Sequence, residues 1–271
     1  CERVVVGGDG LVRIAGRAVF VAGLLPGERA RVRVDQFARG RYQGSIVELD
    51  SANPRRRSAP CPYYLRCGGC DLQHAEIDLQ REIKREALLE ALLGRAEAQE
   101  EAGDATGAAA LYREARTVAK AVGSDRLGAI EGSAEALGRR IRLARRVEDV
   151  KAILQKHPDN VGAREGLVRL YLVNLNNPAK AAEVLEGVKD SGLKKYVPAA
   201  AKPVNEAPEL ACLQLGEWYR ELAETAPDYA KAAMYARAKT YLARFLSLHE
   251  TKDLQNVRAK VAMEKVEEAV A

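Results

Sequence analysis

The residue pattern of the chain changes abruptly near Gly94. Before this glycine, short runs of β-branched residues alternate with glycines, which is typical of strands joined by tight turns. After it, Ala, Leu, Glu, Lys and Arg dominate and the strand pattern disappears, which is typical of helices. Strand signals that are confined to one part of a chain predict an α+β fold made of two separate parts.

Residues 1–54 contain five short runs with the character of strands, at 3–6, 11–14, 17–21, 29–36 and 42–49. The fourth run alternates arginine with apolar residues, so one of its faces is basic and the other belongs to a core. Glycine-containing turns separate the runs. We therefore expect a small OB-like β-barrel, an architecture that often binds single-stranded nucleic acid.

The positive charge of this first part comes almost entirely from arginine. Residues 1–95 hold 15 Arg and one Lys against 12 acidic residues, whereas the whole chain has a formal charge of only +5. Guanidinium groups pair with phosphates and stack on bases, and aromatic rings stack on bases too. The predicted RNA contacts are Arg29, Arg31, Arg33, Arg39, Arg41, Phe37, Tyr42, Arg55, Arg56 and Arg57. A solvated strand face would explain the same arginines without any RNA.

Three cysteines follow within ten residues, at Cys61, Cys67 and Cys70. Gly68 and Gly69 allow a tight backbone turn, so that the last two thiols can reach one centre. Clustered thiolates bind soft metals and iron–sulfur clusters, and in a cytoplasmic setting metal binding is favoured over a disulfide. Buried or disulfide-paired cysteines remain the alternative.

Residues 1 to about 94 resemble a known family in two motifs. Four runs are similar to the TRAM domain, an RNA-binding barrel: Glu2-Arg3, Gly7-Gly8-Asp9-Gly10, Val19-Phe20-Val21 and Leu25-Pro26-Gly27-Glu28. Cys61-Pro62 and the run Cys67-Gly68-Gly69-Cys70-Asp71-Leu72-Gln73-His74 are similar to the cluster motif of bacterial ribosomal-RNA uracil-5-methyltransferases. The resemblance implies RNA binding by the barrel and a 4Fe–4S cluster held by Cys61, Cys67 and Cys70.

The chain also departs from this family. A fourth cysteine further along completes the family's cluster, and a large S-adenosylmethionine domain carries its catalytic cysteine; neither is evident here. The candidates for a fourth ligand are His74 and Cys212. Three thiolates and one imidazole would suit zinc, the alternative cofactor. Cys212 lies in an apolar helical context, which favours a plain core cysteine.

We expect residues 55–94 to hold the Cys-rich motif and a connecting helix that Gly94 ends. Residues 95–191 and 209–271 are predicted to be all-α segments with irregular, tetratricopeptide-like helical repeats. In the first of these segments, the repeat pattern is carried by Ala108, Tyr112 and Ala115. Prolines at 198, 203 and 208 predict a linker without helix over residues 192–208.

Three functions fit these observations. The first is an RNA-binding protein with an iron–sulfur or metal site, joined to a repeat scaffold that binds another protein. The second is a 23S-type rRNA (uracil-5-)-methyltransferase, or a subunit or remnant of one, that lacks a recognisable catalytic domain. The third is a fusion or chimera of two unrelated parts. We expect that the chain alone is not an enzyme, and that an enzyme of this kind would use S-adenosylmethionine. The expected RNA is single-stranded or structured and ribosomal, and the expected location is cytoplasmic, without membrane association.

Overall fold

Five strands form one sheet in the computed structural model, which describes residues 1–38 and 40–270. Arg39, one of the predicted RNA contacts, lies outside the described residues. The strands are β1 (Arg3–Val4), β2 (Asp9–Ile14), β3 (Arg17–Ala22), β4 (Arg29–Ala38) and β5 (Arg41–Ser51). Their order in the sheet is β1-β2-β3-β5-β4, with a parallel pairing between β3 and β5 and antiparallel pairings elsewhere. The prediction of five strands is confirmed.

The expected OB-like barrel is not closed. Strands β1 and β4 form the two edges of the sheet in the described part of the chain. Strand β1 has only two residues, and both pair with β2, through Arg3 with Leu11 and Val4 with Gly10. An edge strand of two residues has too few backbone N–H and C=O groups to form the ladder of hydrogen bonds with β4 that would close a barrel. The result is an open, mixed sheet.

The predicted turn between the second and third runs is confirmed. Ala15 and Gly16 join β2 to β3, and both have a positive φ, 48° and 77°. A two-residue hairpin with positive φ at both positions matches the twist of the flanking strands. Glycine adopts this conformation without cost, whereas Ala15 does so under strain.

Helix α1 (Ile77–Glu101) is longer than predicted, because Gly94 lies inside it. Leu92, Leu93 and Ala96 are buried on both sides of this glycine, so packing offsets the roughly 1 kcal/mol that glycine costs in a helix. Helix α1 ends before Gly103, and helix α2 (Ala105–Val122) follows with Asp104 as its N-cap. Gly103 and Asp104 therefore separate the two helices.

The chain divides into two compact units, Cys1–Gly138 and Arg139–Ala271. From residue 123 to residue 270 the regular elements are helical. They are α3 (Leu127–Lys156), α4 (Val161–Arg169), a π-helical turn (Leu170–Asn174), α5 (Pro178–Glu183), α6 (Ser191–Ala200), a 3₁₀ turn (Val204–Glu206), α7 (Glu209–Thr225), α8 (Asp228–Leu248) and α9 (Leu254–Val270). A strand region followed by a helical region, as predicted, is confirmed.

The prediction that prolines exclude helix from residues 192–208 is wrong. Helix α6 runs through Pro198, which removes one backbone hydrogen bond near the end of the helix. The helix also buries Leu193, Val197 and Ala200 in the core of the second unit. Burial of this apolar face compensates for the missing bond.

The side chains predicted to carry a repeat pattern are buried between helices. Ala108, Tyr112 and Ala115 are buried on α2. In the second unit, a Cβ added to Gly216 would lie 2.6 Å from Cγ of Leu242, so α7 and α8 approach closely at this glycine. These contacts define helix pairs; their assignment to tetratricopeptide-type repeats stays a prediction. Within the described residues, no helix has the length and apolar character needed to cross a membrane.

Candidate functional site

The three clustered cysteines lie on a loop whose two ends are held together. The backbone N–H of Arg57 donates to the carbonyl oxygen of His74 at 2.8 Å. Beside this bond, Arg56 forms an isolated antiparallel β-bridge with Ala75. These contacts close a loop of residues 58–73, which we call the cysteine loop.

The thiols of the cysteine loop form no disulfide in the described residues. All five cysteines of the chain are free; Cys61 is half-buried, and Cys67 and Cys70 are exposed. The backbone N–H of Cys67 donates to the carbonyl of Tyr63 at 3.1 Å, and Gly68 then turns the chain with a φ of 71°. Among the described residues, no group of three or more His, Cys, Asp or Glu side chains converges closely enough to hold a metal ion.

His74 lies directly after the cysteine loop, where its carbonyl accepts the hydrogen bond from Arg57, and its side chain is buried, with only 4% of the residue exposed. Its Nδ1 forms a hydrogen bond with the hydroxyl of Tyr64, and that hydroxyl also donates to the carbonyl of Asp71 at 2.5 Å. Burial, and secondly the charge of Arg56, lower the pKa of His74 to about 4, against a smaller opposite effect of Glu28. The imidazole is therefore neutral near pH 7.

The sequence did not predict the buried ion pair of Glu28, whose carboxylate has no exposed surface. Its two oxygens accept hydrogen bonds from Nε and Nη2 of Arg56 at 2.5 and 2.7 Å. They also accept from the backbone N–H groups of Leu25, at 2.7 Å, and Asn53, at 3.0 Å. Burial by itself would raise the pKa of Glu28, but these hydrogen bonds and the charge of Arg56 together hold the pKa below its ordinary value. Only the resemblance to the TRAM motif, which includes Glu28, singles out this residue in the sequence.

The three consecutive arginines at 55–57 support the cysteine loop. Arg56 binds Glu28 and donates to the carbonyl of Gly23 at 2.6 Å. Arg55 forms an ion pair with Glu82 at 2.7 Å, and Arg57 donates through Nε to the carbonyl of Gln73 at 3.0 Å. Because Nε and Nη2 of Arg56 are both hydrogen-bonded within the protein, we do not expect Arg56 to contact RNA.

The basic residues of β4 are exposed but paired with acidic groups. Nη2 of Arg31 lies 2.5 Å from Oε2 of Glu48, and Nε of Arg33 lies 2.6 Å from Oδ1 of Asp35. Arg29 is exposed at the start of the strand. Exposed ion pairs of this kind are weak, so the pairing lowers the net positive charge of the face without fixing the side chains.

Arg41 lies over an aromatic ring of the neighbouring strand. Its guanidinium carbon is 5.2 Å from the ring centroid of Phe20 on β3. Its Nη2 is 3.9 Å from Oδ2 of Asp9, a distance at which the ion pair is loose. Arg41 therefore combines a positive charge with an aromatic contact at the surface of the sheet.

The two predicted stacking residues lie side by side at one end of the sheet. The rings of Phe37 and Tyr42 are 4.8 Å apart between centroids, and Phe37 is 64% exposed. Tyr42 pairs in register with Val19 and packs on the apolar core of the sheet, on the face opposite to that of Arg31 and Arg33. The predicted aromatic rings therefore lie on a different face of the sheet from Arg31 and Arg33. One arginine that the sequence did not single out does contact one of these rings.

That missed residue is Arg17. Its Nη1 donates to the hydroxyl of Tyr42 at 3.3 Å, and its guanidinium carbon lies 5.6 Å from the centroid of the Tyr42 ring. Arg17 thus adds a positive charge beside the half-buried Tyr42, whose ring neighbours the exposed Phe37. No local pattern could reveal this contact, because it depends on the parallel pairing of β3 with β5.

Cys212 lies in the second unit and is fully buried. Its thiol donates to the carbonyl of Ala207 at 3.6 Å. Burial raises the pKa of Cys212, against a partly compensating effect of Arg244. The prediction that Cys212 is a core cysteine is confirmed.

The first part of the chain is similar in sequence to a class of enzymes that modify ribosomal RNA. The relatives are named 23S rRNA (uracil(1939)-C(5))-methyltransferase RlmD. The protein of Pectobacterium atrosepticum is 44% identical over 81 residues, and that of Chromohalobacter salexigens is 46% identical over 88 residues. The matches cover 30% and 32% of this chain but only 18% of each relative. No protein-family model matches the chain.

Proposed function

We propose that residues 1–94 are an RNA-binding part of the kind found in rRNA uracil-5-methyltransferases, and that the chain is a subunit or remnant of such an enzyme. The observation that carries this proposal is the 44–46% identity to these enzymes, limited to about 30% of the chain. The expected RNA partner is ribosomal. The matched stretch contains less than one fifth of each relative, so the rest of their machinery has no counterpart in the match.

The proposed RNA surface has its centre at Phe37, Tyr42 and Arg17. Phe37 is exposed enough to stack on an unpaired base, and Arg17, which contacts the neighbouring Tyr42, can pair with a phosphate. Arg31 and Arg33 add positive charge on the opposite face of the sheet, and Arg29 and Arg41 add further positive charge at its surface. Binding by such contacts favours single strands, weakens with salt and has little sequence specificity.

Fluorescence anisotropy with a uridine-containing single-stranded RNA tests this surface. We expect Phe37→Ala to weaken binding about tenfold, since base stacking on an aromatic ring contributes about 1–3 kcal/mol. The matched control is Tyr229→Ala, which removes another exposed aromatic ring, in the second unit. Equal affinity of the Phe37→Ala variant and the unaltered chain would contradict the proposed surface.

Charge reversal distinguishes the two faces of the sheet. Arg17→Glu should weaken RNA binding more than Arg31→Glu, because Arg31 is already paired with Glu48 and Arg17 lies beside the stacking residues. If the double variant Arg31→Glu, Arg33→Glu leaves the affinity unchanged, those two arginines belong only to the solvated surface.

We further propose that Cys61, Cys67 and Cys70 hold a 4Fe–4S cluster, with zinc as the alternative. The donor types fit a cluster: three free thiols lie on one loop, and Gly68 turns the backbone between two of them. In the described residues these thiols do not converge on one centre, so binding requires the loop to rearrange. His74 and Cys212 stay untested candidates for the fourth ligand. Iron, sulfide and zinc analysis after anaerobic purification decides between the cofactors, and colourless protein with stoichiometric zinc would exclude the cluster.

The matched variants for this site are Cys67→Ser and Cys1→Ser. Cys67→Ser should abolish retention of the cofactor, because it removes an exposed thiolate donor, and should leave the helical second unit folded. Cys1→Ser changes a cysteine outside the loop and should retain the cofactor. Loss of cofactor from both variants alike would contradict the assignment to the cysteine loop.

For the helical part we propose binding to another protein. Helix α9 exposes Leu254, Val257 and Val261 on one face, at 81%, 56% and 44%, and exposed apolar stripes of this kind are typical of interaction sites. Arg142 and Arg145 are exposed in a basic run of α3 at residues 139–146, so reversing both charges tests whether the helical part also contacts RNA. If reversing both charges leaves RNA affinity unchanged, the alternative of two unrelated fused parts gains support.

A further inference from the structure

Tyr64 and Asp71 are joined across the part of the cysteine loop that carries two of the thiols. The hydroxyl of Tyr64 lies 2.5 Å from the carbonyl oxygen of Asp71. Tyr64 precedes Cys67 by three residues, and Asp71 directly follows Cys70. This hydrogen bond therefore closes a ring of eight residues around both cysteines.

The hydrogen positions in this contact follow from the number of donors. A carbonyl oxygen only accepts, so the single hydroxyl hydrogen of Tyr64 is directed at Asp71. The hydroxyl oxygen is also hydrogen-bonded to Nδ1 of His74. Because its hydrogen is already used, Tyr64 must be the acceptor there. His74 therefore carries its hydrogen on Nδ1.

His74 is itself firmly held. Its backbone carbonyl accepts from the N–H of Arg57 at the neck of the loop, and its ring is only 4% exposed. In the described part of the chain, Nε2 of His74 is buried and has no hydrogen-bond partner. The neutral tautomer with hydrogen on Nδ1 leaves only a lone pair at Nε2, which costs less to bury than an unpaired N–H group.

We propose that Tyr64 and His74 are positioning residues: they restrict the backbone of the segment that carries Cys67 and Cys70, so that a smaller rearrangement is needed for the thiols to converge on a metal. The proposal rests on the metal-binding function proposed above for the cysteine loop. This role replaces that of fourth ligand for His74: His74 orients the hydroxyl of Tyr64, and Tyr64 fixes the backbone at Asp71. The thiols themselves stay exposed and available.

Co²⁺ titration of the full chain, reduced and free of metal, tests the role of Tyr64. Thiolate-to-Co²⁺ absorption reports binding directly. Tyr64→Phe removes only the hydroxyl, and we expect it to weaken Co²⁺ binding about tenfold. The matched control is Tyr63→Phe, which alters the neighbouring tyrosine, 66% exposed, and should leave the affinity unchanged. Equal affinity of Tyr64→Phe and the unaltered chain would overturn the proposal.

Two substitutions separate a positioning role of His74 from a ligand role. His74→Asn can keep an N–H donor near the position of Nδ1 and has no atom at the position of Nε2, so it should largely retain Co²⁺ binding. His74→Ala removes the donor and should resemble Tyr64→Phe. Loss of binding and of the cobalt spectrum in His74→Asn, with normal binding in Tyr64→Phe, would instead identify His74 as a ligand and overturn the proposal.

Hydrogen exchange of the metal-free chain supplies a readout that does not depend on metal. The amide of Cys67 should exchange about tenfold faster in Tyr64→Phe than in Tyr63→Phe, because the ring of residues 64–71 is then open. Equal exchange would overturn the positioning role. Failure of the unaltered chain to bind Co²⁺ would instead overturn the metal-binding function, so the two failures are distinguishable.

Discussion

Glu28 and Arg56 form a bidentate ion pair between segments that are 28 residues apart, and the carboxylate of Glu28 is completely buried. The pair joins the turn before β4 to the neck of the cysteine loop. The ion pair therefore holds these two segments in one relative position. Removal of one partner would leave the charge of the other buried without compensation.

Arg56→Met should therefore lower the free energy of unfolding of the first unit by about 3–5 kcal/mol. Urea unfolding followed by hydrogen exchange of peptides from β3 and the cysteine loop measures this change for the first unit alone. Arg31→Met removes the exposed ion pair with Glu48 and should cost less than about 1 kcal/mol. If the two variants lose similar amounts of unfolding free energy, the buried Glu28–Arg56 pair contributes no more to stability than an exposed pair.

The stability of the first unit should fall as the pH is lowered from 6.5 to about 4. The folded pKa of His74, about 4, is below its ordinary value of 6.5, so the unfolded chain takes up the proton first. The contribution of His74 is complete above pH 6.5 and is lost as the pH falls towards 4, at no more than about 1.4 kcal/mol per pH unit. In His74→Asn, the unfolding free energy should change less over the same range, and an unchanged pH dependence would contradict this account.

Cys212 should be the least reactive thiol of the chain. Burial raises its pKa and removes it from solvent, whereas Cys67 and Cys70 are exposed. Peptide mass spectrometry after brief N-ethylmaleimide treatment of the metal-free chain should find label at Cys67 and Cys70 and none at Cys212 until the second unit is unfolded by urea. Early labelling of Cys212 in the folded chain would show that its surroundings open readily.

We expect no methyl transfer by this chain alone. Methylation of uracil at C5 needs bound S-adenosylmethionine, a nucleophilic cysteine and a base. The buried Cys212, with its raised pKa, is a poor nucleophile. Incubation with labelled S-adenosylmethionine and unmodified ribosomal RNA measures the activity. Label that is incorporated by the unaltered chain and lost in Cys212→Ala would identify the helical part as catalytic.

Features that depend on neighbours in the chain could be predicted from the sequence. The five strands, the turn at Ala15-Gly16 and the break at Gly103-Asp104 follow from residue alternation, glycine conformation and helix capping. The position of the cysteines on one loop was equally evident from their spacing. These features are local, because the residues concerned bring their conformational preferences with them.

Only the tertiary structure decided how these pieces fit together. Gly94 and Pro198 lie inside helices because packing of Leu93 and Val197 outweighs local preferences that would end a helix. The parallel pairing of β3 with β5, and the contact of Arg17 with Tyr42 that depends on it, involve residues far apart in sequence. The same holds for the burial of Glu28 against Arg56. The free energy of such contacts depends on which groups lose water together, and this is fixed by the folded arrangement of the whole unit.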